Sequence, residues 1–229
     1  MLGKKTWFGS ALFLAMLAAM LTLWAGAGCD KSSSRGGAAA RGAEMGASGD
    51  ARAANDEKRA GELYQKLCDG GNMLGCFNLG FCYDRGACGF AKDQNRASAL
   101  FQQACNGGNP NACAQVGFCY EHGSCGLAKD EKRAGDLYKQ ACDGEDAVGC
   151  LNLGNCFANG GCGLAKDDKR ASESYKQACN AGNLEACAAL GAFYQSGKRG
   201  VAKDEKRAAE LFKQACDGGF ADACNNVKK

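Results

Sequence analysis

The spacing of the cysteines constrains the fold of this chain more than any other feature. The chain has 17 cysteines, and four sets of them recur at intervals of 37 residues. The sets are Cys68, Cys105, Cys142, Cys179 and Cys216; Cys76, Cys113, Cys150, Cys187 and Cys224; Cys82, Cys119 and Cys156; and Cys88, Cys125 and Cys162. A fixed period of this length is typical of solenoids, whose units stack to share one core.

The unit that lacks two cysteines indicates how the others pair. Phe193 and Arg199 stand where earlier units have the third and fourth cysteines, whereas Cys179 and Cys187 remain. Cysteines that are lost together are expected to be bonded to each other. The predicted disulfides are Cys68–Cys76, Cys82–Cys88, Cys105–Cys113, Cys119–Cys125, Cys142–Cys150, Cys156–Cys162, Cys179–Cys187 and Cys216–Cys224.

Zinc is the alternative to disulfides, with four thiolate ligands in each unit. The last two cysteine-bearing units keep only two cysteines each, no C-x-x-C spacing occurs, and His122 is the single histidine. We therefore expect disulfides and neither a metal nor another cofactor. Each bridge contributes about 2–3 kcal/mol in the chain-entropy account, and such a set requires an oxidising compartment.

The N-terminus predicts export from the cytoplasm. Lys4 and Lys5 precede an apolar run from Trp7 to Trp24 and then small residues before Cys29. This order is typical of a secretory signal over residues 1–28. It resembles a bacterial lipobox, in which Cys29 becomes the acylated first residue, although Gly26 stands where leucine is usual. The alternative is an uncleaved signal anchor. Acylation of Cys29 leaves an even number of cysteines, which favours a periplasmic or surface lipoprotein of the bacterial cell envelope, anchored in the membrane by its lipid.

The remaining sequence divides into a linker and a repeat array. Residues 29–54 are rich in Ser, Gly, Ala and Arg, which predicts a flexible low-complexity linker. Residues 55–229 are predicted to form the array, with a half-repeat cap at residues 56–68, four repeats and a short C-terminal cap.

Each repeat is predicted to be an antiparallel pair of helices. An aspartate before each first helix is expected to cap it, and these residues are Asp56, Asp93, Asp130, Asp167 and Asp204. A glycine recurs inside each second helix, where it is costly, so we expect another helix backbone to pack against it. These glycines are Gly80, Gly117, Gly154 and Gly191.

The repeated motifs resemble a known family. Leu79-Gly80 followed by Tyr83, Ala128-Lys129-Asp130, Lys132-Arg133-Ala134 and the helix end from Tyr138 to Cys142 are similar to the Sel1-like, tetratricopeptide-like repeat. With a C-x7-C pair in every unit, residues 56–229 are most similar to the disulfide-rich Helicobacter cysteine-rich proteins. The resemblance implies an all-α fold, an α-solenoid with a right-handed superhelix, and binding of a protein or peptide by a monomer. The C-x5-C pairs and the one-residue-longer unit depart from that family's pattern.

The same resemblance implies that the second helix of each unit lines the binding side. Residues on this helix opposite its core face vary between units, whereas core positions barely change. The candidate binding groove comprises Leu74, Asn78, Phe81, Arg85, Gln115, Phe118, His122, Asn152, Asn155 and Asn159. The alternative is a solvated face on which Phe81 and Phe118 touch the neighbouring unit.

Catalysis is not expected, although members of the cysteine-rich family are labelled β-lactam-binding or β-lactamase-like. No serine is followed three residues later by lysine, as a serine β-lactamase requires, and paired cysteines are not nucleophiles. A weak hydrolase and a purely structural envelope spacer remain alternatives to a binding scaffold. A net charge of +3 gives no reason to expect nucleic acid.

Overall fold

The computed structural model describes residues 41–227, with side chains from residue 53 onward. Nearly all described residues, from Ala47 onward, belong to one compact unit. The predicted signal segment and Cys29 lie outside the described residues. Between residues 41 and 227, no helix is both long enough and apolar enough to cross a membrane.

Ten α-helices and no strand make up the described part of the chain. They are α1 (Arg41–Asp69), α2 (Met73–Arg85), α3 (Gln94–Asn106), α4 (Pro110–His122), α5 (Glu131–Asp143), α6 (Ala147–Asn159), α7 (Asp168–Asn180), α8 (Leu184–Ser196), α9 (Glu205–Asp217) and α10 (Ala221–Val227). Consecutive helices pack together, and their short connections turn the chain back at each step. The predicted α-solenoid of helix pairs is confirmed.

The helix boundaries follow from caps that recur in every repeat. Asp93, Asp130, Asp167 and Asp204 each accept a hydrogen bond at 3.0 Å from the amide three residues later, so each caps a first helix as predicted. Each second helix from α2 to α8 is capped by Asn or Asp, and it ends at a glycine in the left-handed conformation.

The first helix differs from its prediction. It begins at Arg41, so residues 41–54 are helical and the linker prediction is wrong for that stretch. Alanine has the highest helix propensity, and Ala51, Ala53 and Ala54 lead into the predicted repeat without a proline. Asp56 therefore lies inside α1 rather than at its N-terminus, and its prediction as a cap is also wrong.

Eight disulfides lie in the described part of the chain. They join the same pairs that the spacing predicts: Cys68–Cys76, Cys82–Cys88, Cys105–Cys113, Cys119–Cys125, Cys142–Cys150, Cys156–Cys162, Cys179–Cys187 and Cys216–Cys224. The C-x7-C bridges join the end of a first helix to the start of the next helix. The C-x5-C bridges join the end of a second helix to the loop that follows it.

An aromatic ring occupies the space beside each repeated helix glycine. A Cβ atom at Gly80 would lie 2.5 Å from the Phe101 ring, and one at Gly117 would lie 2.9 Å from the Tyr138 ring. The prediction that a helix backbone packs there is wrong, because the contact is made by a fully buried side chain of the next first helix. The glycine thus admits the largest side chains of the core.

Arginines join the end of each second helix to the start of the next first helix. Arg96, Arg133 and Arg207 donate to the hydroxyls of Tyr83, Tyr120 and Tyr194 at 3.3, 3.1 and 3.4 Å. Arg170 instead lies over the ring of Phe157, 5.5 Å from its centroid. Each of these guanidinium groups also pairs with the aspartate that caps its helix.

Candidate binding surface

The predicted groove residues lie on the side of α2, α4 and α6 that faces away from the core. We call this surface, formed by the ten predicted residues from Leu74 to Asn159, the second-helix face. Val148 occupies the position of α6 that is equivalent to Leu74 and belongs to the same face. Leu74 is 55% exposed. Arg85, His122, Asn155 and Asn159 are also exposed. The other five, Asn78, Phe81, Gln115, Phe118 and Asn152, are half-buried.

Phe81 belongs partly to the core. Its ring contacts the Phe77 ring at 4.8 Å and the Phe101 ring of the next helix at 5.0 Å. The guanidinium of Arg85 covers it, 5.1 Å from the centroid. The alternative interpretation, in which this phenylalanine touches the neighbouring unit, is therefore correct for Phe81.

Phe118 is stacked on His122 at the end of α4. The ring centroids are 4.2 Å apart with an interplanar angle of 28°. The His122 Nδ1 atom lies 3.0 Å from the Phe118 carbonyl oxygen and 4.0 Å from the Glu121 carboxylate. This geometry places His122 at an exposed helix end, as predicted, with its ring held against an aromatic side chain.

The asparagines of the second-helix face differ in how far their amides are engaged. Asn155 accepts a hydrogen bond at 2.5 Å from the buried Tyr175 hydroxyl, which removes part of its capacity. Burial raises the pKa of Tyr175 to about 12. Asn78, Asn152 and Asn159 make no side-chain hydrogen bond within residues 53–227. Three amides along this face can therefore bond to another chain, because each offers both a donor and an acceptor.

Glu121 is a polar group that the sequence did not single out. It lies one turn from Phe118 and accepts a hydrogen bond at 2.6 Å from the Tyr138 hydroxyl of α5. Burial, followed by this bond, raises the pKa of Tyr138. Position 121 is occupied by Asp, Ala or Gln in the other repeats, so a comparison of repeats would have revealed the difference but not its partner.

The described residues hold no cluster of three or more His, Cys, Asp or Glu side chains arranged to bind a metal ion. The second-helix face is instead a mixed surface. Exposed leucine and valine, half-buried aromatic rings and asparagine amides lie along successive helices, on a disulfide-bonded frame. Such a surface is suited to contact an extended segment of another protein.

Stacked helix pairs at a fixed period, with one variable exposed face, define a helical-repeat scaffold. The chain belongs to the Sel1-repeat family, whose family model, described as Sel1 repeat, matches residues 38–72, 74–109, 110–146, 147–183 and 184–220. These repeats generally mediate contacts between proteins rather than catalysis. The first match begins at residue 38, within the segment predicted as linker.

Solved structures show the same fold. A Sel1 repeat protein from Oxalobacter formigenes is 30% identical, with a TM-score of 0.67 over 73% of this chain and 66% of that chain. A protective antigen of uropathogenic Escherichia coli that displays an SLR fold is 24% identical, with a TM-score of 0.64 over 73% of this chain and 35% of that one.

Helicobacter pylori cysteine-rich protein B is 29% identical over 58% of this chain and 94% of its own, with a TM-score of 0.47. No curated protein matches the sequence significantly. This chain spans 66% of the length of the Oxalobacter protein and 35% of the length of the Escherichia coli antigen.

Proposed function

We propose that this protein is a membrane-tethered scaffold outside the cytoplasm that binds a protein or peptide along its second-helix face. The observation that carries the proposal is the contrast between two sides of the same helices. The core side repeats Cys, Leu or Val, and Gly at fixed positions, whereas the exposed side changes its residues from repeat to repeat. Side chains that differ along a constant frame give a solenoid its specificity for one partner.

The face offers anchors for both side chains and backbone. Leu74 and Val148 are 55% and 45% exposed, and they begin α2 and α6 on the same side as the free amides. Burial of an exposed leucine or valine on binding stabilises a complex by about 1.5–3 kcal/mol. Asparagine amides hydrogen-bond to the backbone of an extended peptide, and this favours partners that bind in an extended conformation.

The compartment is inferred from chemistry. Eight disulfides persist only where thiols are not kept reduced, and the N-terminal segment up to Cys29 has the order of a lipoprotein signal. A lipid on Cys29 would hold the array at a membrane surface.

Mass spectrometry of protein purified from its native membrane tests the tether. The nonreduced peptides should contain the eight bridges, and the N-terminal peptide should begin at an acylated Cys29. An N-terminal peptide that retains residues before Cys29 would contradict the lipid anchor and would indicate an uncleaved signal anchor instead. Free thiols would contradict an oxidising compartment.

Binding is tested by variants that leave the core intact. Because Phe81 packs on Phe101, its removal would confuse binding with folding. Leu74→Glu and Val148→Glu change exposed side chains instead, and they should abolish copurification of a partner while the melting temperature stays unchanged. Retained copurification in both variants would exclude the second-helix face.

A further inference from the structure

Two crevices open on the other side of the helix layer, between successive first helices. One lies between α3 and α5 and has a volume of about 240 Å³. The other lies between α5 and α7 and has a volume of about 470 Å³. Every lining residue of the smaller crevice has its counterpart 37 residues later in the lining of the larger one, as with Val116 and Leu153. They are therefore the same inter-repeat crevice in two consecutive repeats.

One pair of equivalent lining positions differs most in side-chain size between the two crevices. The lining residue is Leu137 in the smaller crevice and Ser174 in the larger one. All other repeats carry leucine here, at positions 63, 100, 137 and 211. Leu100, Leu137 and Leu211 pack against the core. The α5–α7 crevice thus lacks the leucine side chain that occupies the equivalent position in the other repeats.

Ser174 is unusual for a buried serine. It is 4% exposed, and its hydroxyl makes no hydrogen bond to another described residue. Ser98 and Ser172, the other buried serines, both donate to carbonyls three residues earlier. No side-chain nitrogen or oxygen that is sealed from solvent lacks a hydrogen-bond partner among the described residues, so the Ser174 hydroxyl opens into the crevice. A polar group that enters the crevice can therefore hydrogen-bond to it.

The rest of the crevice separates an apolar floor from a charged rim. Leu153, Phe157 and Leu164 form the floor beside the Cys142–Cys150 bridge. At the rim, Asp136, Asp143, Glu173 and Lys139 are exposed and make no ion pair within the described residues. Arg170 is already paired with Asp167. The unpaired rim charges therefore sum to −2, from three carboxylates and one ammonium group.

We propose that the α5–α7 crevice is a second docking site, which takes an aromatic side chain with a polar edge, flanked by basic residues, from a partner protein. The aromatic body would lie on Leu153 and Leu164, beside the Phe157 ring over which Arg170 lies, and its N–H or O–H group would bond to the Ser174 hydroxyl. Basic neighbours would meet the acidic rim, because opposite charges attract across a partly desolvated edge. This site is independent of the second-helix face.

A short peptide tests the site on the full chain with its bridges intact. The probe is acetyl-Lys-Trp-Lys-amide carrying fluorotryptophan, observed by fluorine NMR. Ser174→Leu restores the residue that other repeats carry, so it should keep the melting temperature and weaken binding by about tenfold or more. Ala209→Leu adds a leucine on the exposed side of α9 and is the matched control, with binding unchanged.

A double variant, which changes only exposed charges, keeps the test independent of folding. Asp136→Lys combined with Glu173→Lys reverses exposed charges only, and it should weaken the Lys-Trp-Lys probe while improving binding of acetyl-Glu-Trp-Glu-amide. The proposal is overturned if the Lys-Trp-Lys probe does not bind the wild-type chain. It is also overturned if Ser174→Leu and the wild type bind it equally.

Discussion

The guanidinium of Arg199 lies 5.8 Å from the ring centroid of Phe193, in the repeat where these residues occupy the positions of a disulfide-bonded pair. Arg199 also donates to Asp168 at 2.8 Å and to the carbonyl of Ala158. Its φ angle of 61° matches those of Cys88, Cys125 and Cys162, which are 58°, 54° and 53°. The loop keeps its conformation, and a noncovalent contact replaces the covalent one.

Truncation of Arg199 should therefore weaken the fourth repeat. The side chain is 30% exposed, and its loss leaves the Asp168 carboxylate without a partner. Arg199→Ala is expected to lower the free energy of unfolding by about 1–2 kcal/mol, measured by chemical denaturation. Lys213→Ala is the control, because its ion pair with Asp217 is 66% exposed on the lysine side and should cost less than about 0.5 kcal/mol. Equal costs for the two variants would contradict this role for Arg199.

The missing bridge should be restorable. Phe193→Cys combined with Arg199→Cys places cysteines on a backbone already shaped for the bond. We expect a disulfide to form, with a net gain of about 1–2 kcal/mol after the loss of the ion pair and the ring contact. Thermal melting with and without reductant, compared with wild type, measures the gain. A double variant that stays reduced would show that the loop differs from its three counterparts.

The helix glycines should tolerate alanine to different degrees. A Cβ atom would lie 2.5 Å from Phe101 at Gly80 but 3.1 Å from Tyr175 at Gly154. Alanine gains about 1 kcal/mol of helix propensity at either position, whereas overpacking costs about 1–3 kcal/mol. Gly80→Ala should therefore be destabilising and Gly154→Ala close to neutral. Denaturation midpoints compare them, and the reverse order would refute the contact as the cause.

Stability should fall at high pH, partly because of Tyr175. Burial raises the pKa of Tyr175 from 10.0 to about 12. The unfolded chain loses this proton first, so the contribution is complete below pH 10.0 and is lost as the pH rises to about 12. Between about pH 10 and pH 12, the wild type should lose about 2 kcal/mol more than Tyr175→Phe. Identical pH profiles would mean that the phenol ionises in the folded chain as it does in water.

Periodicity made much of the fold predictable, because local rules repeat with it. Asp93 and Asp130 cap helices by a bond within one turn, and the joint absence of cysteines at positions 193 and 199 indicates a pairing. Contacts between repeats are harder to infer. Gly80 signals a close approach but not its partner, which is a ring 21 residues later, at Phe101.

The sites depend even more on such distant contacts. Phe81 was predicted to be available to a partner, yet packing on Phe101 takes part of its ring, and Asn155 is partly used by Tyr175. The serine at position 174 is visible in the sequence as a departure from leucine. Its meaning emerges only when α5 and α7 are placed side by side.

Site-directed photo-cross-linking tests the central claim, that the second-helix face binds a protein, most directly. A photoreactive amino acid at Asn78 or Asn152 would sample this face in cells, and the same group at Lys206, exposed on α9, would sample a surface with no predicted role. Our account predicts a discrete adduct from both Asn78 and Asn152 and none from Lys206. Adducts from all three positions alike, or from none, would contradict a binding scaffold that uses this face.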